Sequence, residues 1–85
     1  MLFRSYPNPA TDHLHIDLTL ATENGQAIVE MRNIIGELIY ADKIGFNNYH
    51  GSTDISVSKA TPGGVYFVIV RIDDRVLRSQ VVISR

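Results

Sequence analysis

The chain has 85 residues, 45% of them apolar and 20% charged, with no cysteine and a formal net charge of −1. Length allows one domain, and the composition excludes disorder, a disulfide framework or thiolate metal centre, and a basic field able to hold nucleic acid or anionic lipid. The longest apolar run, Val65 to Val70, is far short of the roughly 20 residues of a membrane-spanning helix, and Met1-Leu2-Phe3-Arg4-Ser5 lacks the apolar middle of a secretory leader.

Leu2 to Ser5 alternates weakly, as a short edge strand would. In Tyr6-Pro7-Asn8-Pro9 each proline fixes its own φ and drives the residue before it into extended backbone, and Asn8-Pro9 reads as the opening of a turn. Tyr6 is expected to cap the open end of the core. From His13 to Leu20 the alternation is strict, with Leu14, Ile16, Leu18 and Leu20 on one face and His13, His15, Asp17 and Thr19 on the other, the pattern of a half-buried strand. Asn24-Gly25 is a turn dipeptide. Gln26 to Asn33 follows as a strand with Ala27, Val29 and Met31 on one face and Ile28, Glu30 and Arg32 on the other.

Asn33-Ile34-Ile35-Gly36 interrupts the pattern, with Gly36 supplying a left-handed position. Glu37 to Ile44 then returns as the second arm of a hairpin. β-Branched content and a mid-segment Gly36 exclude a helix over Ile28 to Ile44. Gly45 to Ser52 is rich in Gly and Asn and reads as a turn region. Asp54 to Ser58 is a short strand with Ile55 and Val57 inward. Pro62-Gly63 predicts a type II turn. Val65 to Ile72 is nearly all apolar, which predicts a central strand covered on both faces or set in a crowded part of the core. Asp73-Asp74 is a tight hairpin loop, and Arg75 to Ser84 closes the chain with Leu77, Val81 and Ile83 on its inner side. About seven short strands, with turn signals every 8–12 residues and no helix, predict an all-β, antiparallel sandwich of the immunoglobulin- or fibronectin-like kind. A domain of this size buries about 60–65% of the surface its unfolded chain exposes. Neither an internal repeat nor a low-complexity segment is present.

Tyr6-Pro7-Asn8-Pro9-Ala10-Thr11-Asp12, followed by Leu14 and Ile16, resembles the start of the C-terminal sorting domains of cargo proteins of the Bacteroidetes type IX (Por) secretion system. Val29 to Ile39 around Gly36 is similar to that family's hairpin. Asp54-Ile55-Ser56-Val57 with Pro62-Gly63-Gly64-Val65-Tyr66 is similar to its Pro-Gly-x-Tyr block. Arg78-Ser79-Gln80-Val81-Val82-Ile83 is similar to its closing strand. Asn33 stands where Asp is common, the block carries an extra Gly, and Arg78 and Arg85 stand where Lys is expected.

The resemblance implies a single sorting domain, 1–85, cut from the end of a larger secreted protein whose cargo lies on the N-terminal side. It implies handling by the shuttle proteins and outer-membrane translocon, passage through the periplasm, and removal by a sortase-like peptidase. The cargo would then be secreted or attached to cell-surface lipopolysaccharide. On this reading the motif residues are Tyr6, Pro7, Asn8, Pro9, Asp12, Gly36, Pro62, Gly63, Gly64, Tyr66, Val81, Val82, Ile83 and Arg85.

Few residues point to chemistry. His13 and His15 share one strand face, but two imidazoles without a completing ligand seldom hold a metal, so no metal and no cofactor is expected. Ser, His and Asp occur without a Gly-x-Ser-x-Gly elbow or room for a water-excluding pocket, so the domain is expected not to be an enzyme. Pro62-Gly63-Gly64 precedes no helix and so is not a phosphate cradle. Gln80 to Arg85 is expected to be an edge whose unpaired backbone groups are open to strand addition by the translocon. Edges of this kind also make weak homodimers. The alternative reading is a fibronectin- or immunoglobulin-like accessory module binding carbohydrate or protein, and a third is a small glycan-binding domain using Tyr40, Phe46 or Tyr49.

Overall fold

A computed structural model describes residues 2–85. The described residues contain seven strands and no helix: β1 (Leu2–Tyr6), β2 (His13–Thr19), β3 (Gly25–Asn33), β4 (Leu38–Phe46), β5 (His50–Ser56), β6 (Gly64–Ile72) and β7 (Arg75–Ile83). All strand pairs are antiparallel, in two sheets ordered β1-β2-β5 and β4-β3-β6-β7. This is the immunoglobulin-like sandwich that the strand count and turn spacing predict.

The core lies between the sheets and follows the two-residue period of each strand. Leu14, Ile16 and Leu18 of β2 and Ile55 of β5 face Ala27, Val29 and Met31 of β3, Val68 and Val70 of β6, and Val81 and Ile83 of β7. Among the described residues no charged side chain is fully buried, so the core itself holds no charge that needs a partner.

β6 is central, between β3 and β7, but only one of its faces is covered. Tyr66, Val68, Val70 and Ile72 are buried, whereas Val65, Phe67 and Ile69 are half-exposed on the outer side. Its near-continuous apolar run therefore records two environments, a core face and an unusually apolar outer face.

The region 45–52 is mostly strand, contrary to the turn-rich reading. β4 runs on to Phe46 and β5 starts at His50; the three residues between are Asn47, which bridges to His50, and the loop pair Asn48-Tyr49, with φ of 51° and 64°. Two positive φ values suit a hairpin loop. The Tyr49 backbone is fixed from outside the hairpin, since its N–H donates to the Glu23 carbonyl (2.9 Å) and its carbonyl accepts from Leu20 N–H (2.8 Å). The loop also changes sheets, with Asn47 and His50 forming the only bridge between its arms. Gly51 sits here for want of space rather than to turn the chain: a Cβ on it would lie 2.8 Å from Phe46 Cβ.

The turn before β6 is also displaced. It closes over Ser58–Thr61, where Thr61 N–H donates to the Ser58 carbonyl (2.9 Å) and Ala60 N–H to Ser58 Oγ (3.1 Å). The positive φ falls on Gly64 (146°), so Pro62-Gly63 does not form the predicted type II turn.

The β1–β2, β3–β4 and β5–β6 connections and the end of β7 lie at one pole. Leu2, the Asn48-Tyr49 loop and the Asp73-Asp74 hairpin lie at the other. The sandwich measures 37 × 22 × 17 Å.

Core and close-approach positions should respond differently from surface ones. Leu14→Ala is expected to lower unfolding free energy by about 2–5 kcal/mol, and Gly51→Ala by about 1–3 kcal/mol through overpacking against Phe46. Urea denaturation measures both. A neutral Gly51→Ala would show that the glycine serves no packing need.

Candidate functional site

The residues singled out by motif gather at the pole where β7 ends. The peptide bonds before Pro7 and Pro9 are both cis, and the Pro7–Ala10 segment leaves the β1 sheet to lie along the end of β7. Ala10 N–H donates to the Val82 carbonyl (2.8 Å), and Ser84 N–H donates to the Ala10 carbonyl (2.7 Å), a parallel bridge centred on Ile83. Asn8 extends the contact with its side chain, Oδ1 accepting from Val82 N–H (3.0 Å) and Nδ2 donating to the Gln80 carbonyl at 3.5 Å. Ala10 is fully buried.

The expected open edge over Gln80 to Arg85 is therefore largely covered. In an antiparallel ladder, alternate residues turn both backbone groups to the same side. Val82 and Ser84 face outward and are taken up by Ala10 and Asn8, so Val76 and Arg78 are the stretch of β7 left for strand addition or self-pairing.

Arg85 fastens the same pole. Its guanidinium donates from Nε to the Thr61 carbonyl (3.0 Å), from Nη1 to the Thr11 carbonyl (2.9 Å), and from Nη2 to the Ser58 carbonyl. Three loop carbonyls thus converge on one planar fork, the geometry for which Arg differs from Lys. Gly63 packs beneath it, where a Cβ would lie 3.2 Å from both Arg85 Cγ and the Ile83 carbonyl oxygen. Pro62 accepts from Tyr66 Oη (2.6 Å) through its carbonyl, and Tyr66 is buried. A tyrosine at the start of a strand bonding back to the preceding corner is the tyrosine-corner arrangement of immunoglobulin-like sandwiches. Asp12 adds a backbone link, its carbonyl accepting from Val57 N–H (2.9 Å).

Gly36 (φ 88°) completes the β3–β4 loop. The residue that organises this loop is Asn33, noted in the sequence only as a departure from the family pattern. Its Oδ1 accepts from Ile35 N–H (3.1 Å) and Glu37 N–H (2.9 Å), and its Nδ2 donates to Glu37 Oε1 (2.8 Å). An Asx-type turn was legible in principle from Asn three residues before Gly.

Tyr6 does not cap the core. It lies on the outer face of the β1-β2-β5 sheet, 42% exposed, with its ring centroid 5.0 Å from that of His15 and its hydroxyl donating to Asp17 Oδ2 (3.1 Å). That hydrogen bond raises the Tyr6 pKa. His15 sits between two carboxylates, with Nδ1 2.7 Å from Asp54 Oδ1 and Nε2 3.2 Å from Asp17 Oδ1. Both ring nitrogens can donate only in the imidazolium form, and the Asp54 contact, aided by Asp17, raises the His15 pKa. Partial burial pushes Asp17 up, but hydrogen bonds from Tyr6 and His15 outweigh it and hold it below the ordinary carboxylate range. Asp12 is likewise lowered, by its hydrogen bond to His13. No group of three or more His, Asp or Glu suited to a metal ion occurs among the described residues.

On the opposite sheet Glu30 accepts from Arg32 Nη2 and Arg71 Nε, both at 3.1 Å. Burial pushes its carboxyl up, and the two guanidiniums more than reverse this. Of the aromatics considered for a glycan, Phe46 is buried with its ring against Gly25, and so offers no stacking face.

Fold and pole together define a small immunoglobulin-like module with motif residues that close one pole. The chain belongs to the family of secretion system C-terminal sorting domains, whose model matches residues 4–84. It is a sorting signal of the type IX system. No curated protein and no solved structure matches the chain. No helix of the described residues is long and apolar enough to cross a membrane.

Two outcomes follow from this geometry. Asn8→Ala removes the acceptor of Val82 N–H and is expected to cost about 1 kcal/mol, with faster amide exchange at Val82 than in the wild type. Unchanged exchange there would disprove the Asn8 contact. Separately, His15 has a folded-state pKa above its ordinary value of 6.5, so its contribution to stability is fully present below about pH 6.5 and is lost as pH rises through the folded value. The stability gap between wild type and His15→Gln is expected to be larger at pH 5.5 than at pH 8.5. An equal gap at the two pH values would count against the paired imidazolium.

Proposed function

We propose that the pole formed by Tyr6–Asp12, Pro62–Tyr66 and the end of β7 is the part of the sorting signal that the outer-membrane translocon and its shuttle proteins read. The proposed route runs from the periplasm to the outside. There a sortase-like peptidase removes the domain and the cargo is released or joined to surface lipopolysaccharide. In this reading residues 1–85 are one sorting domain taken from the end of a larger protein, and they act as the peptidase's substrate, not its catalyst.

One observation carries the proposal: segments far apart in sequence, each bearing a family motif, are hydrogen-bonded to one another at a single pole through Asn8, Ala10 and Arg85. A partner reading this pole reads a folded surface and not a linear tail. Arg85 contributes through the shape it fixes, because its head group is already engaged by three carbonyls.

The test is a reporter fused ahead of the domain in a type IX-secreting bacterium. The wild-type fusion is expected in the medium or on the surface. Asn8→Ala with Arg85→Ala, shown folded by circular dichroism, is expected to reduce export at least tenfold. Export of that folded variant at the wild-type level would overturn the assignment of this pole.

A further inference from the structure

The outer face of the β4-β3-β6-β7 sheet is unlike an ordinary solvated sheet face. Register places Lys43, Ile28, Arg71 and Val76 in one row across the four strands, and Glu30, Ile69 and Arg78 in the next. Apolar side chains stand at positions that a one-sided antiparallel sheet normally gives to polar residues, and Ile28 and Val76 are 40% and 55% exposed. Four cations, Arg32, Lys43, Arg71 and Arg78, share this face with the carboxylate of Glu30, and Asp42 borders it beside Ile28, Ala41 and Lys43, so the face is cationic although the whole chain carries a net charge of −1. Glu30 is already engaged by Arg32 and Arg71. Lys43 and Arg78 make no ion pair among the described residues. The Arg78 guanidinium instead lies over the Phe67 ring, 4.6 Å from its centroid. A guanidinium held on a ring keeps its N–H fork available for a carboxylate, and Arg with aromatic neighbours is the composition of interface anchors.

We propose that this face docks a protein strip that is both apolar and acidic, carried by the secretion machinery. The proposal rests on the sorting reading and adds a second contact, on the flank of the domain, to the pole. Four strands at about 4.8 Å spacing and nine residues at about 3.3 Å give a face of roughly 600 Å². That is a projected footprint, to which side-chain relief adds, so the face has room for a protein contact of about the standard ~800 Å² of accessible surface per partner. A protein strip fits better than an anionic lipid layer, because Arg32 and Arg71 are paired with Glu30 and the two cations left, Lys43 and Arg78, fall short of the cluster of about four to eight that an anionic membrane surface takes. The outer face of the β1-β2-β5 sheet, with Asp17, Asp54 and three histidines against Arg4, has the wrong charge for the same partner and serves as the control.

The reporter fusion in a type IX-secreting cell tests this with Val76→Asp/Arg78→Glu on the proposed face and Arg4→Glu/Thr19→Asp on the opposite face, each checked for wild-type-like urea unfolding. The first pair is expected to cut export at least tenfold and the second to leave it within twofold. Should the first pair not fold, Lys43→Glu on the same face is expected to lower export about threefold. A wild-type fusion that exports while the folded face variants export equally overturns this proposal alone. A wild-type fusion that is not exported overturns the sorting reading and this proposal with it. Sedimentation with phosphatidylglycerol vesicles at 0.15 M salt is expected to show no binding. Binding that the Val76→Asp/Arg78→Glu pair abolishes would assign the face to a membrane and overturn the acidic-protein partner.

Discussion

The structure depends on how Ala10 is held. Its side chain is in the core and its N–H and carbonyl are bonded to Val82 and Ser84 at the end of β7, while the strands before and after its loop, β1 and β2, belong to the other sheet. One residue therefore sutures the two layers along the flank where β1 lies beside β7. The opposite flank is closed by a different device, the Asn48-Tyr49 loop that carries the chain from β4 to β5. A small sandwich has little core to spare, and closing both flanks with backbone bonds protects that core without a disulfide. The same suture occupies the backbone groups of Val82, which would otherwise be open to any passing strand.

Much of this architecture was legible in the residues themselves. Strict alternation in Leu14–Leu20 located a core face correctly, whereas in Ala27–Met31 it only separated two faces, because a two-residue period fixes which residues go together and the opposing sheet decides which side is covered. Gly36 and Asp73-Asp74 were readable because their local chemistry demands a turn. What escaped was tertiary. Gly45 and Gly51 looked like turn residues, yet Gly51 is small because Phe46 needs the space. Pro62-Gly63 looked like a turn, yet Gly63 lies flat against the closing strand and beneath Arg85. Tyr6 looked like a core cap because nothing local shows that Asp17 and His15 stand opposite it on the sheet face.

The motif residues show the same division. Their family resemblance was evident one by one, but not that Asn8, Ala10, Gly63 and Arg85 would meet. Neither the covering of the terminal edge nor the triple engagement of Arg85 leaves a periodic or local trace, because each bond joins segments tens of residues apart. Asn33 was the one exception: its role lies within four residues of chain and could have been inferred.

The two outer faces share a scaffold but differ in chemistry, one an array of histidine and aspartate, the other aliphatic and arginine-rich. Along the long axis the contrast is geometric. The chain begins its first strand at the far pole from the Asn8–Arg85 cluster. A polypeptide joined ahead of Leu2 therefore emerges with the length of the sandwich between itself and that cluster, and on the proposed reading of the cluster the bulk and shape of the passenger have little steric bearing there. One small tag can in this way serve freight of very different sizes.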